Sequence, residues 1–235
     1  MKRWLRLLLF FLPALSLAQQ PVPAPAASLP AQASIEFSFD WPQGIPWQSY
    51  SITTDSEGKT HFSGIPHPDE SNDTDSVQQD FTMSEANRQK IFELAQKLDY
   101  FQRDYDSHLK HVAFTGKKTL QYKSPQLSGS TSYNYTQNAD VDELTRIFLA
   151  IATTIDFGRK LAFQYRFDKL GMSQRLTELD EMYTGHRAEE LSIIAPILRK
   201  IANDPNMMNI SQQTARRLLH NINQPVSAAQ TPGSQ

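Results

Sequence analysis

Residues 129–155 read GSTSYNYTQNADVDELTRIFLAIATTI, and the change of period half-way along this stretch decides the fold. Ser130 to Thr136 alternates as a strand does, with Thr131, Tyr133 and Tyr135 on one face. After a turn at Asn138 to Asp140, apolar residues recur at steps of three and four: Leu144, Ile147, Phe148, Ile151, Ala152 and Ile155. That spacing makes one side of a helix apolar, and such a side has to be covered by a sheet or by other helices. A strand leading into a helix that lies on a core is therefore expected here.

Upstream, the alternation is repeated. Ile35, Phe37 and Phe39 mark a strand, Trp41-Pro42 and Pro46-Trp47 punctuate it, and Tyr50 and Ile52 mark the next. The turn Asp55-Ser56-Glu57-Gly58 reverses the chain into Lys59 to Gly64, with glycine where a positive φ is wanted. A polar loop from Ile65 to Ser76 leads to a strand carrying Val77, Gln79 and Phe81. Thr82 to Glu85 has the spacing of a capping box and opens a helix with Ile91, Leu94, Ala95 and Leu98 on its buried side. Val112 and Phe114 read as another strand, returning through Leu120 and Tyr122 to the opening stretch. Both halves then read strand, strand, strand, helix.

Downstream, a break is expected at Asp156 to Gly158, followed by helical segments to Gly171, from Ser173 to Gly185, from Ala188 to Ala202 and onward from Ser211. The fold class predicted is α+β: an antiparallel sheet with helices on one face over residues 34–157, then a C-terminal helical subdomain over 158–223 and a polar tail over 224–235.

The ends bear on location. Lys2, Arg3 and Arg6 surround the apolar run Leu7 to Leu12, and Ser16-Leu17-Ala18 supplies small residues at the positions a signal peptidase reads. Residues 1–18 are thus expected to be a secretory leader cleaved after Ala18. Residues 19–33, with Pro21, Pro23, Pro25 and Pro30, read as an extended spacer. The chain has 0 cysteines, which excludes a disulfide framework, a thiolate metal site and a lipidated cysteine. Residues 19–140 carry 9 Lys and Arg against 15 Asp and Glu, and 141–235 carry 11 against 10, a balance that argues against nucleic acid as a partner. No later apolar run is long enough to cross a bilayer, so a soluble periplasmic or secreted protein is expected. Three sequons begin at Asn72, Asn134 and Asn209; in a cysteine-free chain of bacterial character they read as chance matches.

No complete catalytic motif occurs. The chain lacks a G-x-S-x-G elbow and a phosphate-cradling glycine loop. His186-Arg187-Ala188-Glu189-Glu190 falls short of H-x-x-E-H because Glu190 stands where the second histidine belongs. His108 and His111 point to opposite faces if the segment is a strand. The metal candidates are His61 and His67, which bracket Gly64 and Pro66, together with Asp69 of an acidic loop that continues through Glu70, Asp73 and Asp75. That loop lacks the glycine and terminal glutamate of an EF-hand. Trp41, Trp47, Tyr133 and Tyr135 are candidates for a sugar or peptide surface, set against the ordinary role of such rings in a core.

The block Phe114 to Tyr122, the run Tyr133-Asn134-Tyr135 and the segment Tyr165 to Gly171 resemble exported bacterial proteins of unknown function. That resemblance implies export and an α+β body. Leu191 to Ile222 is similar to one helical hairpin of a HEAT-type repeat, which implies a hairpin docked by one face; a single copy does not make an array. The leading expectation is a noncatalytic binding or interaction module of the cell envelope, with an envelope protein or glycan as partner and no cofactor. A metal-assisted hydrolase and a carbohydrate-binding surface are the alternatives. Mass spectrometry of the exported chain is expected to find Gln19 as its first residue.

Overall fold

The computed structural model describes residues 32–68 and 76–222. Six strands form one antiparallel sheet: β1 (Ser34–Asp40), β2 (Trp47–Asp55), β3 (Lys59–Pro66), β4 (Val77–Thr82), β5 (Lys117–Lys123) and β6 (Ser128–Tyr133). Their order is β4-β3-β2-β1-β5-β6, so β1 joins the two halves by pairing with β2 on one side and β5 on the other. Two helices, α1 (Glu85–Lys97) and α2 (Ala139–Phe167), cover one face. Three more follow: α3 (Met172–Thr184), α4 (Ala195–Asn203) and α5 (Asn209–Ile222). The architecture is α+β. None of the described helices is long and apolar enough to cross a membrane.

The alternation of each strand separates the sheet's faces. Ile35, Phe37, Ile52, Phe62, Leu120 and Tyr122 are buried beneath the helices. Against them α2 lays the stripe expected from its spacing, with the Phe148 ring stacked on Phe37 at 5.1 Å between centroids. Two polar links fix the helix across the sheet. The Trp47 indole N–H donates to the Ala152 carbonyl at 3.3 Å, and the Tyr133 and Thr145 hydroxyls share a hydrogen bond of 2.5 Å. Asn138 caps α2 by accepting the N–H groups of Asp140 and Val141.

Several expectations are corrected. The halves are not alike: four strands precede α1, and two precede α2. Val112 and Phe114 are exposed and lie outside any strand. Asn134 explains this, because its side chain accepts the Thr115 N–H and donates to the Ala113 carbonyl, so backbone groups flanking Phe114 bond a side chain in place of a neighbouring strand. The cap of α1 is Ser84 rather than Thr82, which is the last residue of β4. Helix α2 runs unbroken through Asp156 to Gly158, carrying the chain past the boundary expected at 157. Asp156 is held by Arg159 and Lys160, each at 2.9 Å and each one turn onward. Gly158 lets the helix approach the turn Leu191–Ile194, since a Cβ there would strike Ile194 Cγ2. That turn also splits the helix expected from Ala188 to Ala202, and α4 starts only at Ala195.

One carboxylate ties the helical part to the body. Glu190 is 7 % exposed, adopts φ 57°, and accepts from the Ser84 N–H, the Ser84 hydroxyl at 2.6 Å and the Asn87 side-chain amide at 2.8 Å. It therefore satisfies donors at the start of α1, where the helix dipole favours negative charge. Replacing Glu190 by Ala leaves those partly buried donors unpaired and is expected to lower unfolding stability by about 1–3 kcal/mol, read from urea denaturation.

Candidate binding face

The face of the sheet turned away from the helices is covered by nothing among the described residues. Because all strands pair antiparallel in register, its side chains form rows across the sheet. One row runs Gln78, Ser63, Ser51, Ser38, Thr119 and Ser132 from β4 to β6. A parallel row runs Asp80, His61, Thr53, Glu36, Gln121 and Ser130. With strands ~4.8 Å apart, each row spans about 24 Å. Most of these side chains are small hydroxyls that both donate and accept hydrogen bonds. Thr119 and Ser132 bond each other at 2.9 Å. No Phe, Tyr or Trp faces outward from the six strands; every such ring on them belongs to the helix-covered side.

At the β3–β4 margin the face dips into a depression bounded by Thr53, Asp55, Lys59, His61, Asp80 and Thr82. His61 and Asp80 are cross-strand partners, and Nδ1 of the imidazole lies 2.6 Å from the Asp80 carboxylate. Nearby, the Asp55 side chain accepts the N–H groups of Glu57 and Lys59, which fixes the β2–β3 turn. Glu57 bonds the Lys59 ammonium at 2.7 Å and holds its pKa above the usual lysine value.

The candidate metal set is not assembled. His61 sits near the start of β3 and His67 just past its end, well over 10 Å apart at a rise of ~3.3 Å per residue. His67 donates its backbone N–H to the Pro46 carbonyl at 2.9 Å. Asp69, like Glu70, Asp73 and Asp75, lies outside the described residues. Among those described, no group of three histidines or carboxylates is placed to hold a metal ion.

The four aromatic candidates separate by position. Trp47 and Tyr133 are core residues, each 3 % exposed, and burial raises the Tyr133 phenol pKa strongly. They cannot meet a ligand at the surface. β6 ends at Tyr133, so Tyr135 leaves the strand and lies exposed. Trp41 is half-buried in the β1–β2 connection, its ring edge-on to Phe39 at 6.4 Å. Gly116 packs against both Phe39 and Trp41 and has φ 97°, a position where a side chain would strike Phe39. Trp41, Phe114 and Tyr135 thus belong to the loops at one end of the sheet. The ring of His186, in the remaining motif fragment, lies 3.2 Å from the Glu189 carboxylate.

Those loops are stitched by polar groups. The half-buried Lys118 ammonium bonds the carbonyls of Thr115, Gly116 and Asn134, and burial lowers its pKa. Asp106 accepts the Asn134 and His108 N–H groups. His108 Nε2 meets Asp104 at 2.8 Å.

No family model and no curated protein matches this chain. The face itself therefore carries the functional argument. Sequence reasoning passed over its hydroxyl rows because it followed the apolar half of each alternation. The signal was present in the other half, where Ser34, Ser38, Ser49, Ser51, Ser63, Ser128, Ser130 and Ser132 recur at positions that surface strands often give to long charged side chains.

His108 gives the loop a pH dependence of definite sign. Its hydrogen bond and ion pair with Asp104 raise its pKa above the ordinary histidine value. The stabilisation is complete below the unfolded pKa and is lost as pH rises through the folded one. An NMR titration of the His108 ring is expected to show a midpoint above 6.5, returning toward it in Asp104→Asn.

Proposed function

We propose that the chain is an exported, noncatalytic binding module of the bacterial cell envelope, and that the outer face of its sheet is its contact surface. The observation carrying this reading is a row about 24 Å long across that face, Gln78, Ser63, Ser51, Ser38, Thr119 and Ser132, in which five of six side chains are short hydroxyls and no element of the described chain lies upon it. Short side chains lose little rotamer freedom when immobilised, so a flat array of hydroxyls meets a partner at low entropic cost. The basic, apolar leader and the proline-rich spacer support export, as does the resemblance to exported bacterial proteins.

A protein surface is favoured over a glycan as partner. Sugar rings are commonly held by stacking on aromatic faces, and this face offers none; Trp47 and Tyr133 lie in the core. The metal-assisted hydrolase keeps one foothold, the His61–Asp80 pair, because a carboxylate at Nδ1 orients an imidazole whose Nε2 can then act as ligand or base.

The test is a double variant, Ser38→Arg with Thr119→Arg, which places two large charges at the centre of the face without touching the core. Proteins crosslinked to the wild-type chain in intact envelopes are identified, purified and measured by calorimetry. Affinity is expected to fall at least ~10-fold in the variant while the thermal midpoint stays unchanged. Undiminished affinity would refute the assigned surface, and turnover of an envelope polymer that disappears in His61→Ala would establish the hydrolase.

A further inference from the structure

The projecting end of α2 carries a second, chemically different surface. Phe163, Phe167 and Leu170 are 61 %, 72 % and 81 % exposed, the highest values for large apolar side chains among the described residues. A spacing of four places Phe163 and Phe167 on one side of the last turn of α2, their rings 5.0 Å apart between centroids, and Leu170 follows in the bend after the helix. They form a ridge rather than a groove. Contiguous apolar exposure of this kind marks a contact surface.

The charge around the ridge favours one occupant. From Asp156 to Glu178 the chain carries Arg159, Lys160, Arg166, Lys169 and Arg175 against Asp156, Asp168 and Glu178, a surplus of two positive charges, with Arg175 paired to Glu178, although the whole protein is formally −2. Asp156 holds Arg159 and Lys160 beside the helix, and Asp204 holds Lys169 at 2.8 Å near the end of α4, where Arg199 and Lys200 are exposed. Arg166 makes no ion pair among the described residues and lies exposed between the two phenylalanines. A second copy of the chain would bring like surpluses together.

We infer that this ridge docks the protein peripherally on an anionic lipid surface, with Phe163, Phe167 and Leu170 entering the acyl boundary and Arg166 meeting lipid phosphates. Aromatic and leucine side chains interleaved with cations are the chemistry of interfacial anchoring, and each cation near such a surface adds attraction that salt weakens. The surface is distinct from the outer face of the sheet, so each can fail without the other.

The test is co-sedimentation of the full chain with phosphatidylglycerol–phosphatidylcholine vesicles, with phosphatidylcholine vesicles alone as the comparison. Wild type is set against Phe163→Ser with Phe167→Ser, and against Arg166→Glu. All carry the same N-terminus, so any binding through Leu7 to Leu12 cancels. Binding to the anionic vesicles is expected, with a loss of at least about fivefold in Arg166→Glu and a greater loss in the double variant. Thermal midpoints should match, because the replaced side chains are exposed. Three results would overturn the inference: no binding by wild type, equal binding by the variants, or a concentration-dependent dimer without lipid that the double variant abolishes.

Discussion

A single helix has to serve both parts of one continuous core. As far as Ile155, α2 presents Val141, Leu144, Phe148, Ile151 and Ile155 to the sheet, whereas Phe157 and Leu161 beyond it are buried where the helix meets α3, α4 and the Leu191–Ile194 turn. A helix of 29 residues is about 43 Å long, against roughly 24 Å for the width of the sheet, so it necessarily runs past the edge it has crossed. The helical part forms around that overhang. Its position is then fixed by the Glu190 carboxylate at the start of α1 and by the hydrogen bond from the Thr154 hydroxyl to the Glu189 carbonyl at 2.6 Å.

Among the described residues the helices cover only one face of the sheet, and the residues on the two faces follow from that asymmetry. Inward positions hold aromatic and branched side chains, and the only inward polar pair near the β2–β3 turn, Thr54 and Thr60, bonds to itself at 3.0 Å. Outward positions are free of any packing demand. The row of short hydroxyls at Ser63, Ser51, Ser38, Thr119 and Ser132 is consequently a property of the surface rather than of the fold, which is why the proposed contact is placed there.

What was legible in the sequence was what periodicity encodes. The apolar steps from Leu144 to Ile155 locate α2, the alternation in Ile35 to Phe39 and Tyr50 to Thr54 locates β1 and β2, and the Asp55 to Gly58 turn joins β2 to β3. What was not legible depended on contacts distant in sequence. Asp156 and Gly158 look like a helix end until Arg159, Lys160 and Ile194 are seen around them. Val112 and Phe114 alternate like a strand, but Asn134, twenty residues later, holds the adjoining backbone instead. The same limit applies to the candidate site. Tyr133 and Tyr135 share a face only if the strand continues, and it ends between them.

The placement of Glu190 has a bearing on how the molecule comes into being. Its carboxylate bonds Ser84 and Asn87 from 106 and 103 residues away, and β1 waits for β5 before its second edge is paired. A chain made or threaded across a membrane N-terminus first thus delivers β1 to β4 and α1 long before the groups that complete them. Until residue 190 arrives, the start of α1 has only its own Ser84 side chain as a cap, and until β5 arrives one edge of β1 is unpaired. Glu190, in the last quarter of the chain, thus closes onto a helix start laid down in the second.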